Sequence, residues 1–206
     1  MKIKIVLTFI LLIPIFGLIL SCNSTNNKTN QPENSNVVSE KGTPDSVYLH
    51  MGKEFATGTQ AVLGKNLTEA IQKKGAAYAV EFCNTRAYPL TDSMAKVYHA
   101  AIKRVTDKAR NQDNRANPVQ MEVMETMKQQ MAEGKLPLPQ LVHENGKVIG
   151  HYAITTNALC LQCHGKKDVN IQPETIKKIQ ALYPEDQATG YELNQLRGLW
   201  VVEMDE

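Results

Sequence analysis

An α+β domain is the fold class this sequence predicts, and three local signals carry the prediction. Asn145-Gly146 lies between apolar runs at 138–143 and 147–155, and Asn-Gly in that setting is the strongest short-range signal of an antiparallel hairpin. Asn117-Pro118-Val119-Gln120 supplies a capping residue, a proline at the first helical position and a glutamine at the third, the pattern that opens a helix. Ahead of both, apolar residues recur at helical spacing between Leu49 and Phe82. The chain has 206 residues, 42% hydrophobic and 21% charged, enough for one globular domain with a sizeable core.

The amino terminus reads as an export signal. Lys2 and Lys4 form a positive n-region, and 5–20 is an apolar run broken only by Thr8, Pro14 and Gly17. That run is shorter than the roughly 20 apolar residues a membrane-spanning helix requires. It closes on Leu18-Ile19-Leu20-Ser21-Cys22, a small residue directly before a cysteine, which resembles the lipobox of bacterial lipoproteins with a bulkier Leu20 than is usual. Processing there divides the chain into a signal peptide at 1–21, a tether at 22–44 and a domain at 45–206. Cys22 becomes the lipidated first residue, membrane lipid its partner, and the domain is expected outside the cytoplasm, on the periplasmic side or the cell surface. Both n-region lysines are removed, so the formal net charge falls from +2 to zero, and no charge argument for nucleic-acid binding survives. The segment 23–43 is rich in Asn, Ser and Thr, with only Val37 and Val38 apolar. It cannot bury enough surface to offset its ordering entropy.

The elements of the domain follow in order. Pro44-Asp45 marks a helix start, and Leu49, Phe55, Ala56 and Leu63 predict a helix to about Gly64. Asn66 is expected to cap a second helix, from Leu67 to about Arg86. On that helix Leu67, Ile71, Tyr78 and Phe82 form the stripe expected to face the core. A nearly opposite face carries Ala76, Ala79, Val80 and Cys83, side chains small enough for something flat to approach the backbone. Alternation between 97 and 108 predicts a strand, 111–117 a polar loop, and the capping box a helix to about Glu133, stopped by Gly134. Met121, Met124, Met127 and Met131 line this helix as gap-filling core residues, with a methionine that ligates a metal as the alternative. After the hairpin, 173–182 predicts a short helix, 183–186 a turn, and 199–204 a final strand holding Trp200, the only tryptophan.

The chemistry concentrates at Cys160-Leu161-Gln162-Cys163-His164. Two thiols at i and i+3 with an adjacent imidazole form the attachment pattern of a c-type haem: Cys160 and Cys163 each add to a vinyl group and His164 takes the iron from one side. Zinc would need two more ligands at local spacing, and the sequence has neither a second CxxC nor an HxxxH. A redox dithiol or a structural disulfide is the competing reading. With Cys22 assigned to lipid, Cys83 is left as a lone thiol that is buried, pairs with another chain, or binds something. Among His50, His99, His143 and His151, His99 is the best placed to be a second axial histidine.

Five ordered blocks extend the pattern beyond this motif. Ala79-Val80-Glu81-Phe82-Cys83-Asn84, then 104–111 (Arg-Val-Thr-Asp-Lys-Ala-Arg-Asn), the CxxCH block, 183–191 (Tyr-Pro-Glu-Asp-Gln-Ala-Thr-Gly-Tyr) and Arg197-Gly198 together resemble the PAS-like c-type haem domain, the Tll-like haem domain. The resemblance covers about 45–204. It implies a PAS-like antiparallel sheet with flanking helices, one covalently bound haem c, and an axial pair of His164 with Cys83. It departs at 110–118, where the family usually shows Arg-Asn-Pro-x-Asn-x-Pro. This chain lacks the first proline and runs longer, which leaves the roles of Arg110 and Arg115 toward the haem propionates open.

The function expected on these grounds is a non-enzymatic, lipid-anchored monohaem c-type cytochrome, carrying electrons at low potential or sensing redox state or a ligand, with an unknown redox or signalling protein as partner. A peroxidase-like or gas-activating enzyme is the alternative. It would need an open sixth position and a nearby acid–base group.

Overall fold

A computed structural model describes residues 43–206. The predicted signal peptide, Cys22 and nearly all of the tether lie outside the described residues. Helix α1 (Asp45–Tyr98) is followed by β1 (Ala101–Val105), a 3-10 turn (Gln112–Asn114), α2 (Pro118–Ala132), β2 (Gln140–Glu144), β3 (Lys147–Thr155), α3 (Ala158–His164), α4 (Pro173–Leu182) and β4 (Leu196–Asp205). The four strands make one sheet in the order β1-β4-β3-β2, with every neighbouring pair antiparallel. This is an α+β fold, an antiparallel sheet flanked by helices.

The hairpin forms as predicted. Glu144 pairs with Lys147 across a two-residue turn in which Asn145 and Gly146 both take positive φ, 52° and 72°. These are the left-handed conformations that Asn and Gly tolerate and that match the twist of the flanking strands. The capping box is complete: the Gln120 amide donates to Asn117 Oδ1 at 2.9 Å, and the Asn117 amide donates to Gln120 Oε1 at 3.0 Å.

The sheet separates two apolar layers by the alternation of its side chains. On one face Ile102, Trp200, Val202, Met204, Val148 and Tyr152 pack with Tyr48 and Ala56 of α1. On the other, Val105, Leu199 and Val201 pack with Val123, Met124 and Met127 of α2. Trp200 satisfies its indole by donating Nε1–H to Gln60 Oε1 at 3.1 Å.

The first helices differ from the prediction. The expected break at 64–66 is absent, and the non-helical residue is Gly75 (φ 80°, ψ 173°). Asn66 does not cap; its Nδ2 donates to the Val62 carbonyl at 2.8 Å, within the helix. At Gly75 the chain doubles back. Phe55 and Tyr98 stack with ring centroids 4.4 Å apart, whereas an unbroken helix between them would span about 65 Å. The 45–74 and 76–98 segments of α1 therefore make a helical hairpin turning on a glycine that can take positive φ.

The stripe expected to face the core is also corrected. Tyr78 is 36% exposed, while Ala79 and Val80 are 0% and 3% exposed. The small-residue face is the buried one because α4 packs on it: Val80 clusters with Ile171 and Ile179, with Cys163 and Tyr183 against them. Lys178 Nζ of α4 adds a contact to Glu81 at 3.2 Å.

Candidate functional site

Helix α3 presents both thiols and the imidazole of the CxxCH motif on a short helical stretch. Asn157 starts it as N-cap, its Oδ1 accepting from the Cys160 amide at 3.1 Å. His164 is its last residue, and the chain at 190–191 is laced to it. The Tyr191 amide donates to the His164 carbonyl at 2.9 Å and the Gly190 amide to the Gly165 carbonyl at 2.8 Å. Cys83, Cys160 and Cys163 are all unbridged.

The imidazole is oriented by a backbone group. His164 Nδ1 lies 2.8 Å from the Ala188 carbonyl, which can only accept, so Nδ1 carries the proton and Nε2 keeps its lone pair. Arg197 Nε is 3.3 Å from the same Nδ1. With that nitrogen already donating, this is a contact and not a second hydrogen bond. Burial, reinforced by Arg110 and Arg197, holds the His164 pKa well below the usual histidine range, so the ring is neutral. A fixed tautomer with a free Nε2 is the form in which histidine binds a metal.

Arg110 clamps the motif to the turn at 183–188. Its Nε donates to Asp186 Oδ1 at 3.0 Å and its Nη2 to the Cys163 carbonyl at 2.6 Å. The two side chains are only 12% and 8% exposed, so the pair is shielded from solvent and fixes the position of α3. Asp186 Oδ1 also accepts from the Ala188 amide at 3.0 Å, which sets the carbonyl that holds His164. One chain of bonds thus runs from Arg110 through Asp186 and Ala188 to the imidazole.

Cys83 comes to the same region from the second segment of α1. Burial raises its pKa, and Arg104 and Arg110 act in the opposite direction. The Cys163 thiol is pushed up to about 11 by burial, with Arg110 lowering it and the charge of Cys83 raising it. Arg110 also acts on His164, so all three groups share one electrostatic environment. Tyr191, 5% exposed, sets its ring edge-on to His164 at 6.4 Å, and Arg197 lies 5.3 Å over that ring.

A family model described as Tll0287-like matches residues 21–204. The chain belongs to the Tll0287-like family. Among solved structures, the crystal structure of the cyanobacterial heme-protein Tll0287 matches with a TM-score of 0.51 at 17% identity, covering 80% of this chain and 97% of that one. At that identity the likeness shows a shared fold. No curated protein matches the chain.

The other ligand candidates of this Tll0287-like chain are accounted for elsewhere. His99 is the left-handed C-cap of α1 (φ 50°) and lines an open groove with Lys96, Lys147 and Asp205. Met124 and Met127 are fully buried in the α2 core and Met131 packs against it, whereas Met121, expected in the core, is 41% exposed. His50 is exposed, His143 bridges Asp45 and Glu206, and His151 is buried on β3. Sequence reasoning left Arg104, Arg197 and Tyr191 without roles and missed the Ala188 carbonyl altogether. Arg110 was considered only as a propionate contact; its bond to Asp186 joins two of the five blocks.

The donor set fits a c-type haem by two independent observations: the motif thiols are unbridged, and Nε2 of the neighbouring imidazole is unspent. Cys160 and Cys163 are the attachment residues in that fit, and His164 and Cys83 the axial candidates.

Proposed function

We propose that this chain is an extracytoplasmic, lipid-anchored monohaem c-type cytochrome on a PAS-like domain, carrying electrons at low potential or responding to redox state. The observation that supports it best is the hydrogen bond from His164 Nδ1 to the Ala188 carbonyl, which orients a neutral imidazole one residue past two unbridged cysteines. Membership of a family that includes a heme-protein agrees with it.

When bound, the haem supplies a one-electron ferric–ferrous couple. Cys160 and Cys163 would hold it through thioether bonds, and His164 and Cys83 would be its iron ligands. A thiolate at Cys83 favours the ferric state, because it neutralises positive charge where screening is weak. With His164 and Cys83 both on the iron, a peroxide would have no open site there, and the reading is a non-enzymatic one. Acylated Cys22 would hold the domain on membrane lipid, and electrons or signal would pass to a protein partner and not to nucleic acid.

The attachment is tested on holo-protein made in a host with cytochrome c maturation. Haem is expected to stay with the polypeptide through acid–acetone extraction, since thioether bonds do not dissociate. The double variant Cys160→Ala, Cys163→Ala is expected to lose it. Free extraction of haem from the wild type would contradict the proposal.

A further inference from the structure

Three guanidiniums gather around the CxxCH helix, and they differ in what they are bonded to. Arg110 has Asp186 as its counter-ion at 3.0 Å. Arg197 spends Nη1 on Thr106 Oγ1 at 2.9 Å and the Lys108 carbonyl at 3.3 Å, and stacks on Tyr191. Arg104 has neither a counter-ion nor a hydrogen bond among the described residues; it is half-buried and sits 5.7 Å over the Trp200 ring. The titratable groups acting on it are Cys83, Tyr88 and Tyr183, none of them a carboxylate.

The direction of Arg104 follows from strand register. It pairs with Trp200, which packs on the α1 face, so Arg104 leaves the sheet toward the helix that carries Cys83. A cation withdrawn from water without a partner is costly, and here the Arg197 guanidinium repels it. Among the described residues, Asp186 is the one carboxylate ion-paired to any of the three arginines. The missing partner is therefore an anion, and a planar fork of free N–H donors matches a carboxylate.

We propose that Arg104 anchors a haem propionate, which supplies the carboxylate the protein itself does not. This rests on the haem reading above and adds the orientation of the cofactor, with a propionate edge toward β1. Arg110 and Arg115 are already committed, to Asp186 and to Gln112 Oε1 at 2.8 Å.

The test measures the midpoint potential of wild-type, Arg104→Gln and Arg104→Lys holo-proteins from about pH 5 to about pH 9. Arg104→Gln loses a positive charge that favours the ferrous state, so its midpoint is expected below the wild type at the alkaline end. Its propionate, no longer paired, takes up a proton on reduction and adds a pH-dependent step at mildly acidic pH that the wild type lacks. Arg104→Lys keeps the charge and loses the fork, so a near-wild-type alkaline midpoint with a smaller step is expected. If Arg104→Gln does not fold, that smaller step in Arg104→Lys decides alone.

The charged and titratable groups nearby, Cys83, Tyr88, Tyr183, Arg110, Arg197 and Asp186, are common to all three proteins and cancel in the comparison. Variant profiles that coincide with the wild type overturn the proposal. So does a change in the low-spin EPR g-values with no added pH step, which would place Arg104 on the Cys83 sulfur. Acid–acetone extraction comes first; a wild type without covalent haem removes the haem reading, and this inference with it.

Discussion

Strand β4 serves two regions that follow opposite packing rules. Leu199 and Val201 close an apolar core with α2, where Met124 and Met127 are fully buried and surrounded by other apolar side chains. Arg197, on the same strand, turns instead into the region of α3, where guanidiniums, thiols and an imidazole are packed together. The first region buries mainly apolar surface and gathers no cluster of charged side chains. The second carries three guanidiniums and three unbridged thiols around one buried imidazole. An excess of like charge held away from water is what a site for an anionic cofactor would show, and an apolar core does not.

The contrast is broken or sharpened first at Met127. Its truncation to Ala is expected to lower stability by about 2–5 kcal/mol, as for other large-to-small changes in a core. Denaturant melts of the holo-protein measure this, and the haem absorption spectrum should be unchanged. A loss of the low-spin spectrum in Met127→Ala would join the two regions and put methionine back among the ligands.

A smaller effect concerns His151, on the α2 face of the sheet, 1% exposed and with Nδ1 unpartnered. Burial, with Lys103 adding repulsion, holds its folded pKa below the usual histidine value. The unfolded chain then binds the extra proton on acidification, so stability falls as pH drops through the ordinary histidine range. His143, raised by Glu206 and Asp45, works in the opposite sense, contributing stability at low pH that is lost as pH rises through its folded pKa. The difference between wild type and His151→Gln isolates the first effect. The wild type should lose more stability than the variant between about pH 7 and about pH 5. Parallel melting profiles would show that His151 does not titrate differently on folding.

What was legible in the sequence was what short-range chemistry determines. Asn145-Gly146 could only favour a hairpin, and Asn117 and Gln120 satisfy each other's backbone amides three residues apart. The helix break was not legible, because Gly64 and Asn66 look like punctuation while the turn depends on Gly75 having helices to either side that can pack. Tyr78 was expected inside and Ala79 given to the other face because periodicity does not say which face a later element, α4, will cover. At the candidate site, the motif pointed to Cys160, Cys163 and His164, the cysteine count singled out Cys83, and the resemblance gave Cys83 its proposed ligand role. The Arg110–Asp186 pair and the Ala188 carbonyl were out of reach: the first is made by folding distant segments together, and the second has no side-chain signature.

The central claim is that Cys83 and His164 hold one iron between them, and an EPR spectrum of ferric holo-protein, wild type against Cys83→Ala, tests it most directly. The account predicts a six-coordinate low-spin wild type with g-values typical of thiolate ligation. It predicts that Cys83→Ala keeps its covalent haem but turns high-spin or takes water, with a higher midpoint potential and readier binding of cyanide or carbon monoxide. A low-spin spectrum unchanged by Cys83→Ala, or a high-spin wild type, would contradict it.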